Sequence, residues 1–464
     1  MEKITRRVAD FVVGLTFDDL PQQVVEKARA CLLDYFGYAV YGSTARPIDI
    51  LFRVLAEPGD CTVIGRARTT SGLSAAFING AMGHVAELDD THRQSMAHIG
   101  DSIIPAALAA GEIADTDGKS LLVAMVAGYD VAARAGESVM PSHYYRGWHP
   151  SATVNTLGAA AAAGSVLGLS GLQMQHAIGI AGTQMCGNFA HVPERGMAKD
   201  LNPGRAAFSG LLAALLAKAG FTASTDFLEN RHGLAMYGDG VRLECFLEGL
   251  GEDFKILEVS HKVYTACRHI HSAIDAALEI SRYGLSVPEI DAVEIESWSH
   301  IAFCDDPNPW RDEWYGPRFS AQFNVAVALV HGEAGVDALF EPEGCSRMLR
   351  DPDVRRLVER TEVVVNPDMD RDFPGIWPAK VSVLLRDGRT VSVRKDLARG
   401  EPEVPVSYGY IVQKFRRLSG LVGMPTDVQD ATVEALDKVH ELRVREVTQT
   451  LRWEPQVVVH SVDR

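Results

Sequence analysis

Hydrophobic residues recur at helical spacing through most of the first half of the chain. This periodicity predicts amphipathic helices at residues 5–20 and 21–42, and the second opens with Pro21, which suits the first turn of a helix. Strand-like sequence at 61–65 is followed by Ala-rich helical segments at 71–86, 103–114, 119–137, 151–167, 171–186, 204–219 and 223–230. Gly and Pro lie at their ends, where helices are expected to stop. Because small residues let helices approach closely, the pattern predicts a compact all-helical domain.

The pattern changes after about residue 258. β-Branched residues in near-alternation predict strands at 291–299, 361–368, 379–388 and 389–397. The Asp387-Gly388 step between the last two is typical of a hairpin. Helical segments at 268–282, 318–331 and 351–360 are interleaved with the strands, and helical periodicity returns from residue 408. The predicted fold class is therefore mainly α, with a large all-helical domain at 1–260, completed by 405–464, and a smaller α+β domain at 261–404.

Length and charge narrow the classes of function. A chain of 464 residues exceeds the usual size of a single hydrophobic core, which favours two domains. The formal net charge of -16 repels nucleic acid and anionic lipid, so neither is expected as a partner. A small anionic substrate would need a local pocket of Lys, Arg or His side chains.

The cysteines and one uncharged segment indicate where the chain resides. The 7 cysteines are scattered and form no C-x-x-C pair, which argues against a disulfide framework and a structural zinc site and fits a reducing cytoplasm. Residues 147–193 contain no Asp, Glu, Lys or Arg, but their amides would be costly in lipid, so buried helices are predicted there rather than a membrane span. The N-terminal residues show no apolar stretch of signal-peptide length.

The densest polar cluster is the segment 84–102, HVAELDDTHRQSMAHIGDS. It combines acids and imidazoles on a short connection, which suits general acid–base chemistry because neighbouring charges separate their pKa values. The cluster contains His84, Glu87, Asp89, Asp90, His92 and His98. His and Asp are also metal ligands, but the spacing matches no established metal motif. The alternative is a solvated loop with Asp90 or Thr91 as a helix cap.

Two further segments carry cations or imidazole near predicted helix starts. His149 precedes a Pro at the entrance of an Ala-rich helix, where it faces a cleft or has a purely structural role. Lys199 and Arg205 flank a Pro-Gly turn, which the pattern places at the start of the helix at 206–219. Backbone N–H groups and two cations at that position predict a carboxylate site. The alternative is a surface charge pair.

The fourth cluster is SHKVYTACRHIHSAIDAA at 260–277, near the predicted domain junction. Its basic residues are suited to an acidic small molecule. They are His261, Lys262, Arg268, His269 and His271, with Cys267 among them. A thiol nucleophile is one interpretation of Cys267. No cysteine-protease motif surrounds it, so a polar or packing role is the alternative.

Taken in order, these motifs resemble the MmgE/PrpD family: a DDT-type acidic loop, WHP before an Ala-rich helix, Lys199 before a Gly-containing turn, and K-x-Y-x-x-C-R-x-x-H at 262–271. The resemblance implies a helical domain built from both chain ends, a smaller α+β lid, a site between them and a homodimer. The family pocket would contain Thr91, His98, His149, Lys199 and Lys262. Family decarboxylases differ from this chain at Glu87, Cys267 and Phe323, where they have Asp, His and Tyr, and in a loop one residue shorter.

The clusters and the resemblance together give the candidate site. Candidate catalytic residues are His98, His149, Lys199, Glu87 and Asp90. Candidate substrate-binding residues are Thr91, Arg93, Arg205, Lys262, Cys267 and Arg268. No cofactor and no metal are expected.

The implied reaction is metal-independent removal of a proton next to a carboxylate on a small di- or tricarboxylate. A 2-methylcitrate dehydratase-like lyase is the first hypothesis. An epimerase of the iminodisuccinate type is the alternative, and a catalytically silent ligand-binding homologue is a second alternative.

Overall fold

The computed structural model describes residues 3–456, which fall into two compact units. The first contains the chain up to Ser260 and resumes at Ser407, and the second is His261–Val406. The α-helices of the first unit are Ile4–Gly14, Gln22–Gly42, Arg46–Leu55, Gly72–His84, Gly100–Ala114, Gly118–Val139, Ser142–Tyr145, Val154–Val166, Gly171–Gly182, Ala198–Lys218, Tyr408–Leu421, Thr426–Asp437 and Val444–Gln449. Its strands are two-residue pairs, Cys61–Thr62 with Thr69–Thr70 and Thr91–His92 with Val259–Ser260.

The core of the first unit surrounds the buried helix Val154–Val166. This helix packs against Gly118–Val139, Gly100–Ala114 and Ala198–Lys218. A Cβ atom added at Gly158 would lie 2.5 Å from the carbonyl oxygen of Gly128 on the neighbouring helix, so the backbones meet more closely than larger residues permit. The Ala- and Gly-rich composition is therefore a requirement of helix packing, as the sequence predicts.

Two sequence-based predictions in this unit are wrong. The helix expected to start at 204 begins at Ala198 and continues through Pro203, although a proline inside a helix cannot donate its hydrogen bond to the preceding turn. Residues 223–230 form turns instead of a helix. Here Ser224 accepts a hydrogen bond from the backbone N–H of Asp226, and such side-chain acceptors compete with helix formation.

The second unit is α+β. Its sheet is four-stranded, in the spatial order Thr361–Val365, Ile290–Ser297, Ala379–Leu385 and Thr390–Lys395. The first pair is parallel and the other two are antiparallel. Gly388 turns the predicted hairpin with φ +87°. The helices are His271–Ser281, Tyr315–Phe319, Ala321–Ala338, Pro342–Arg350 and Pro352–Val358.

The mainly α fold class predicted from the sequence is confirmed, with the strands of the larger sheet in the second unit. The uncharged segment at 147–193 is largely buried, as expected for core helices. Among residues 3–456, no helix combines the length and the apolar character needed for a bilayer span.

Candidate functional site

The acidic loop, residues 85–99, connects two core helices and is buried. It follows Gly72–His84 and precedes Gly100–Ala114. Asp89 is 0% exposed and Asp90 is 1% exposed, so the alternative of a solvated loop is wrong. Glu87 adopts a left-handed backbone conformation with φ 54°, which is uncommon outside Gly and is found where surrounding structure fixes a residue. Burying this many ionisable groups requires that they satisfy one another.

His84 connects the members of this cluster. Its Nδ1 lies 2.6 Å from Asp89 Oδ2 and 3.1 Å from Asp101 Oδ2. Its Nε2 lies 2.5 Å from Lys199 Nζ, and Lys199 is also ion-paired with Glu87. Burial, followed by the Lys199 charge, lowers the pKa of His84 to about 3. The imidazole is therefore neutral at pH 7, donating from Nδ1 to the carboxylates and accepting at Nε2 from the ammonium group.

His98 shares the same carboxylate. Its Nδ1 lies 2.8 Å from Asp89 Oδ2 and 3.4 Å from Thr91 Oγ1. Its backbone is fixed from both sides, because Ser151 Oγ accepts from its N–H at 3.0 Å and Asn155 donates to its carbonyl at 2.7 Å. With Nδ1–H directed at Asp89, a neutral His98 presents the lone pair of Nε2, the arrangement of a general base.

His149 has the opposite arrangement. The amide nitrogen of Asn202 lies 2.7 Å from His149 Nδ1, so Nδ1 accepts and the proton is on Nε2. Burial, with the neighbouring His84 and Lys199, lowers the pKa of His149 well below its ordinary value. The His149 ring centroid is 5.6 Å from that of His84, and the His84 centroid is 4.9 Å from that of His98. One cluster thus contains a histidine poised to accept a proton and another whose neutral ring donates a hydrogen bond from Nε2–H.

A cavity of about 560 Å³ adjoins His149 through Asn202, which lines it. His191 and Arg205 line the same cavity. Burial lowers the pKa of His191 to about 4, and its ring centroid is 6.2 Å from that of His149. Arg205 lies within the helix Ala198–Lys218. The predicted helix start at 206 is therefore wrong, so backbone N–H groups there do not bind a carboxylate, and the Arg205 side chain is what the cavity offers to an anion.

Other predicted residues of the first unit have supporting positions. Asp90 accepts from Tyr129 at 2.5 Å and from the backbone of Gly100 at 2.8 Å, and burial raises its pKa to about 6. It thereby anchors the start of the next helix. Thr91 lies in the strand paired with Val259–Ser260, and Arg93 is buried.

The remaining predicted residues lie in the second unit. Lys262 is fully buried there, and Arg268 is ion-paired with Glu401. Cys267 lies 3.6 Å, Sγ to Nδ1, from His269.

Sequence reasoning missed several contributors to the site. His84, Asp89 and Asp101 lie inside the polar segment 84–102 but received no role, because spacing does not reveal which acid contacts which imidazole. Asn202 reaches His149 across 53 residues of sequence, and Lys199 reaches His84 across 115. Only the fold brings these partners together.

The geometry of the cluster favours hydrogen bonds over a metal ion. His84, Asp89 and His98 have ligand atoms close enough to be considered as a metal site. The two contacts to Asp89, at 2.6 and 2.8 Å, are direct hydrogen-bond distances. Nitrogen and oxygen ligands of one zinc ion are about 3.3 Å apart in tetrahedral geometry. The ammonium group of Lys199 adds a repulsive charge beside any ion bound there.

We expect the protein to lose stability as pH falls from about 6.5 to 4. An unfolded imidazole takes up a proton near pH 6.5, whereas burial lowers the pKa of His143 to about 4 and that of His84 to about 3. Each such imidazole binds more protons in the unfolded state in this window and costs about 1.4 kcal/mol of unfolding free energy per pH unit. Asp90 and Asp130, with pKa values raised to about 6, act in the opposite direction, but the shifted imidazoles outnumber them. Urea denaturation at several pH values measures this.

His143→Gln tests the contribution of one group without touching the acidic loop. His143 bonds to the carbonyl of Tyr237 and to Thr153 Oγ1, both at 2.7 Å. The variant should flatten the dependence of unfolding free energy on pH by about 1.4 kcal/mol per unit. An unchanged slope would show that this imidazole is protonated in the folded state.

Comparison with known proteins identifies the family. Residues 6–240 match the MmgE/PrpD N-terminal domain, and residues 264–438 match the MmgE/PrpD C-terminal domain. Similar proteins include cis-aconitate decarboxylase of Aspergillus terreus, 27% identical over 95% of this chain and 94% of that protein. Cis-aconitate decarboxylase-like protein oryM of Aspergillus oryzae is 29% identical over 90% and 91%, and cis-aconitate decarboxylase of Mus musculus is 25% identical over 98% and 95%. The resemblance seen in the sequence is confirmed, and the chain belongs to the MmgE/PrpD family.

Proposed function

We propose that this protein is a dehydratase-like lyase that removes a proton next to a carboxylate of a small di- or tricarboxylate. The observation that carries the proposal is that one cluster holds His98 and His149 in opposite tautomers, with Nδ1–H of His98 directed at Asp89 and Nδ1 of His149 accepting from Asn202. Proton abstraction followed by departure of hydroxide needs one base and one hydrogen-bond donor that stabilises the departing hydroxide. A single cluster supplies both.

The proposed reaction starts with His98 Nε2 taking the proton from the carbon beside the carboxylate. The electron pair of the broken C–H bond moves into the carboxylate, and nearby cations stabilise the doubly charged intermediate. Lys199 and Arg205 are the candidates in the first unit. The electron pair then forms a carbon–carbon double bond while the C–OH bond breaks. The departing hydroxide accepts a hydrogen bond from His149 Nε2–H and takes up the proton that His98 holds, so the products are an unsaturated acid and water and both histidines return to their starting states.

Lys262, Cys267 and Arg268 complete the proposal as substrate-binding residues, a role that rests on the family resemblance. Lys262→Ala should then raise KM more than it lowers kcat. Steady-state kinetics measures this, and an unchanged KM would remove Lys262 from the substrate site.

Two alternative reactions, decarboxylation and epimerisation, use the same histidines as the proposed dehydration. The similar proteins named cis-aconitate decarboxylase support a tricarboxylate substrate and favour, as a second candidate, cleavage of a C–CO2 bond, with His149 protonating the carbon left behind. An epimerase would use the same two histidines on opposite faces of one carbon, one removing the proton and the other returning it.

One experiment distinguishes these outcomes. The protein is incubated in heavy water with a panel of citrate-like and succinate-like acids, and products are followed by NMR, ultraviolet absorbance, carbon dioxide release and chiral chromatography. A new double bond without carbon dioxide supports the dehydratase. Inversion with no alkene would replace it by the epimerase, and carbon dioxide release by the decarboxylase. No exchange and no product with any acid would favour the silent ligand-binding homologue.

Activity should survive exhaustive chelation. The hydrogen-bonded distances around Asp89 and the adjacent Lys199 leave the acid–base cluster suited to proton transfer by side chains. Dialysis against a strong chelator, metal analysis and assay test this. Loss of activity that one added divalent ion restores would contradict the metal-independent mechanism.

A further inference from the structure

A second cluster of ligating side chains lies in the second unit, outside the acid–base cluster. Cys267, His269 and Cys304 have ligand atoms that all lie within 4.8 Å of one another. Cys267 and His269 come from the turn before the helix His271–Ser281, and Cys304 ends the 3-10 segment Ser299–Cys304. We propose that these three residues form a binding site for a thiophilic divalent ion such as Zn²⁺.

The distances fit a tetrahedral ion. With Zn–S near 2.3 Å and Zn–N near 2.0 Å, a sulfur and a nitrogen ligand of one ion lie about 3.6 Å apart. The Sγ of Cys267 and the Nδ1 of His269 are 3.6 Å apart. Two sulfur ligands would be about 3.8 Å apart by the same geometry. The ligand atom of Cys304 lies within 4.8 Å of the other two, so shifts of roughly 1 Å bring it into place.

The surroundings favour a metal complex without net charge. Cys304 is fully buried and His269 is 8% exposed. The His269 ring packs beside two indoles, with centroids 5.2 Å from Trp298 and 5.0 Å from Trp377. Two thiolates neutralise a divalent ion, so the loaded site would not place an uncompensated charge among these rings. Three protein ligands leave a fourth position for water or a small anion.

Sulfur separates this site from the other ligand clusters of the described residues. The remaining groups, His84–Asp89–His98 and His92–Glu137–Glu258, contain only nitrogen and oxygen ligands. Among these clusters, a thiolate-specific signal therefore distinguishes the site of Cys267 and Cys304. The absorbance of a thiolate–metal bond also does not depend on whether Cys267 binds substrate.

The test is a titration of the reduced, metal-free protein with Co²⁺, followed by absorbance. We expect one tightly bound ion per chain with a thiolate-to-cobalt charge-transfer band, and displacement of that ion by Zn²⁺. Cys267→Ser and Cys304→Ser should each roughly halve the band and weaken binding by more than the 10–100-fold typical of losing an outer-shell partner. His269→Gln should weaken binding while keeping both thiolate contributions.

Matched controls exclude general effects of substitution. Cys345→Ser removes another buried cysteine of the same unit, and His300→Gln removes a histidine whose ring centroid is 6.0 Å from that of His269. Both should retain the band and the affinity. If Cys304→Ser fails to fold, Cys267→Ser and His269→Gln still decide the question. Cobalt binding without a thiolate band, or a band unchanged in Cys267→Ser, would overturn the proposal.

Discussion

Replacing Asp89 by Asn should lower kcat by about 10²- to 10⁴-fold with little change in KM. The carboxylate of Asp89 is 0% exposed and accepts from Nδ1 of both His84 and His98. An amide of the same shape lacks the negative charge that stabilises the imidazolium formed when His98 takes the substrate proton. The NH2 group of the amide cannot accept a hydrogen bond from Nδ1–H of His98. It therefore disfavours the tautomer in which Nε2 of His98 is the base.

Steady-state kinetics and thermal unfolding together test this prediction. Asp130→Asn is the matched control, because Asp130 is an equally buried carboxylate, bonded to Arg134 at 2.8 Å outside the acidic loop. Both variants should lose stability, since each leaves buried donors without a charged acceptor. Only Asp89→Asn should lose turnover in the molecules that remain folded. Equal loss of activity in both variants would assign Asp89 a purely structural role.

The sequence is most informative where a local pattern determines the structure. Helical periodicity and alternation predict the mainly α fold class, and Asp387-Gly388 predicts the hairpin, because these depend on neighbouring residues. The start of the helix Ala198–Lys218 is not predicted correctly, because Pro203 and Gly204 suggest a boundary that the helix passes through. Local signals of that kind are weaker than the packing of a whole helix in a core.

The sequence predicts the chemistry of the candidate site but not which side chains contact one another. The dense group of acids and imidazoles at 84–102 indicates acid–base chemistry through its composition alone. The part played by His84 is not visible in the sequence, because it ends an apolar helix and its partner Lys199 is 115 residues away. The cluster of Cys267 and Cys304 is not predicted from the sequence either, because the two cysteines are far apart along the chain and no short metal motif links them.

His149→Gln should lower kcat by about 10²- to 10⁴-fold while substrate still binds. The reason is specific to the tautomer: Asn202 donates to Nδ1, so Nε2–H is the hydrogen-bond donor that stabilises the departing group. Lys199→Ala should instead mainly raise KM, because an ammonium group that holds a carboxylate contributes to binding. Steady-state kinetics on the two variants measures this contrast.

Exchange of the substrate proton in heavy water tests which of the two histidines, His98 or His149, is the base. If His98 is the base, His149→Gln should still exchange the substrate proton for deuterium, because abstraction and return at His98 do not need His149. Product formation should fall much further than exchange. The control is His143→Gln, another buried histidine of the same unit, which should keep both rates. Parallel loss of exchange and turnover in His149→Gln would make His149 the base, whereas wild-type turnover would leave it a structural residue.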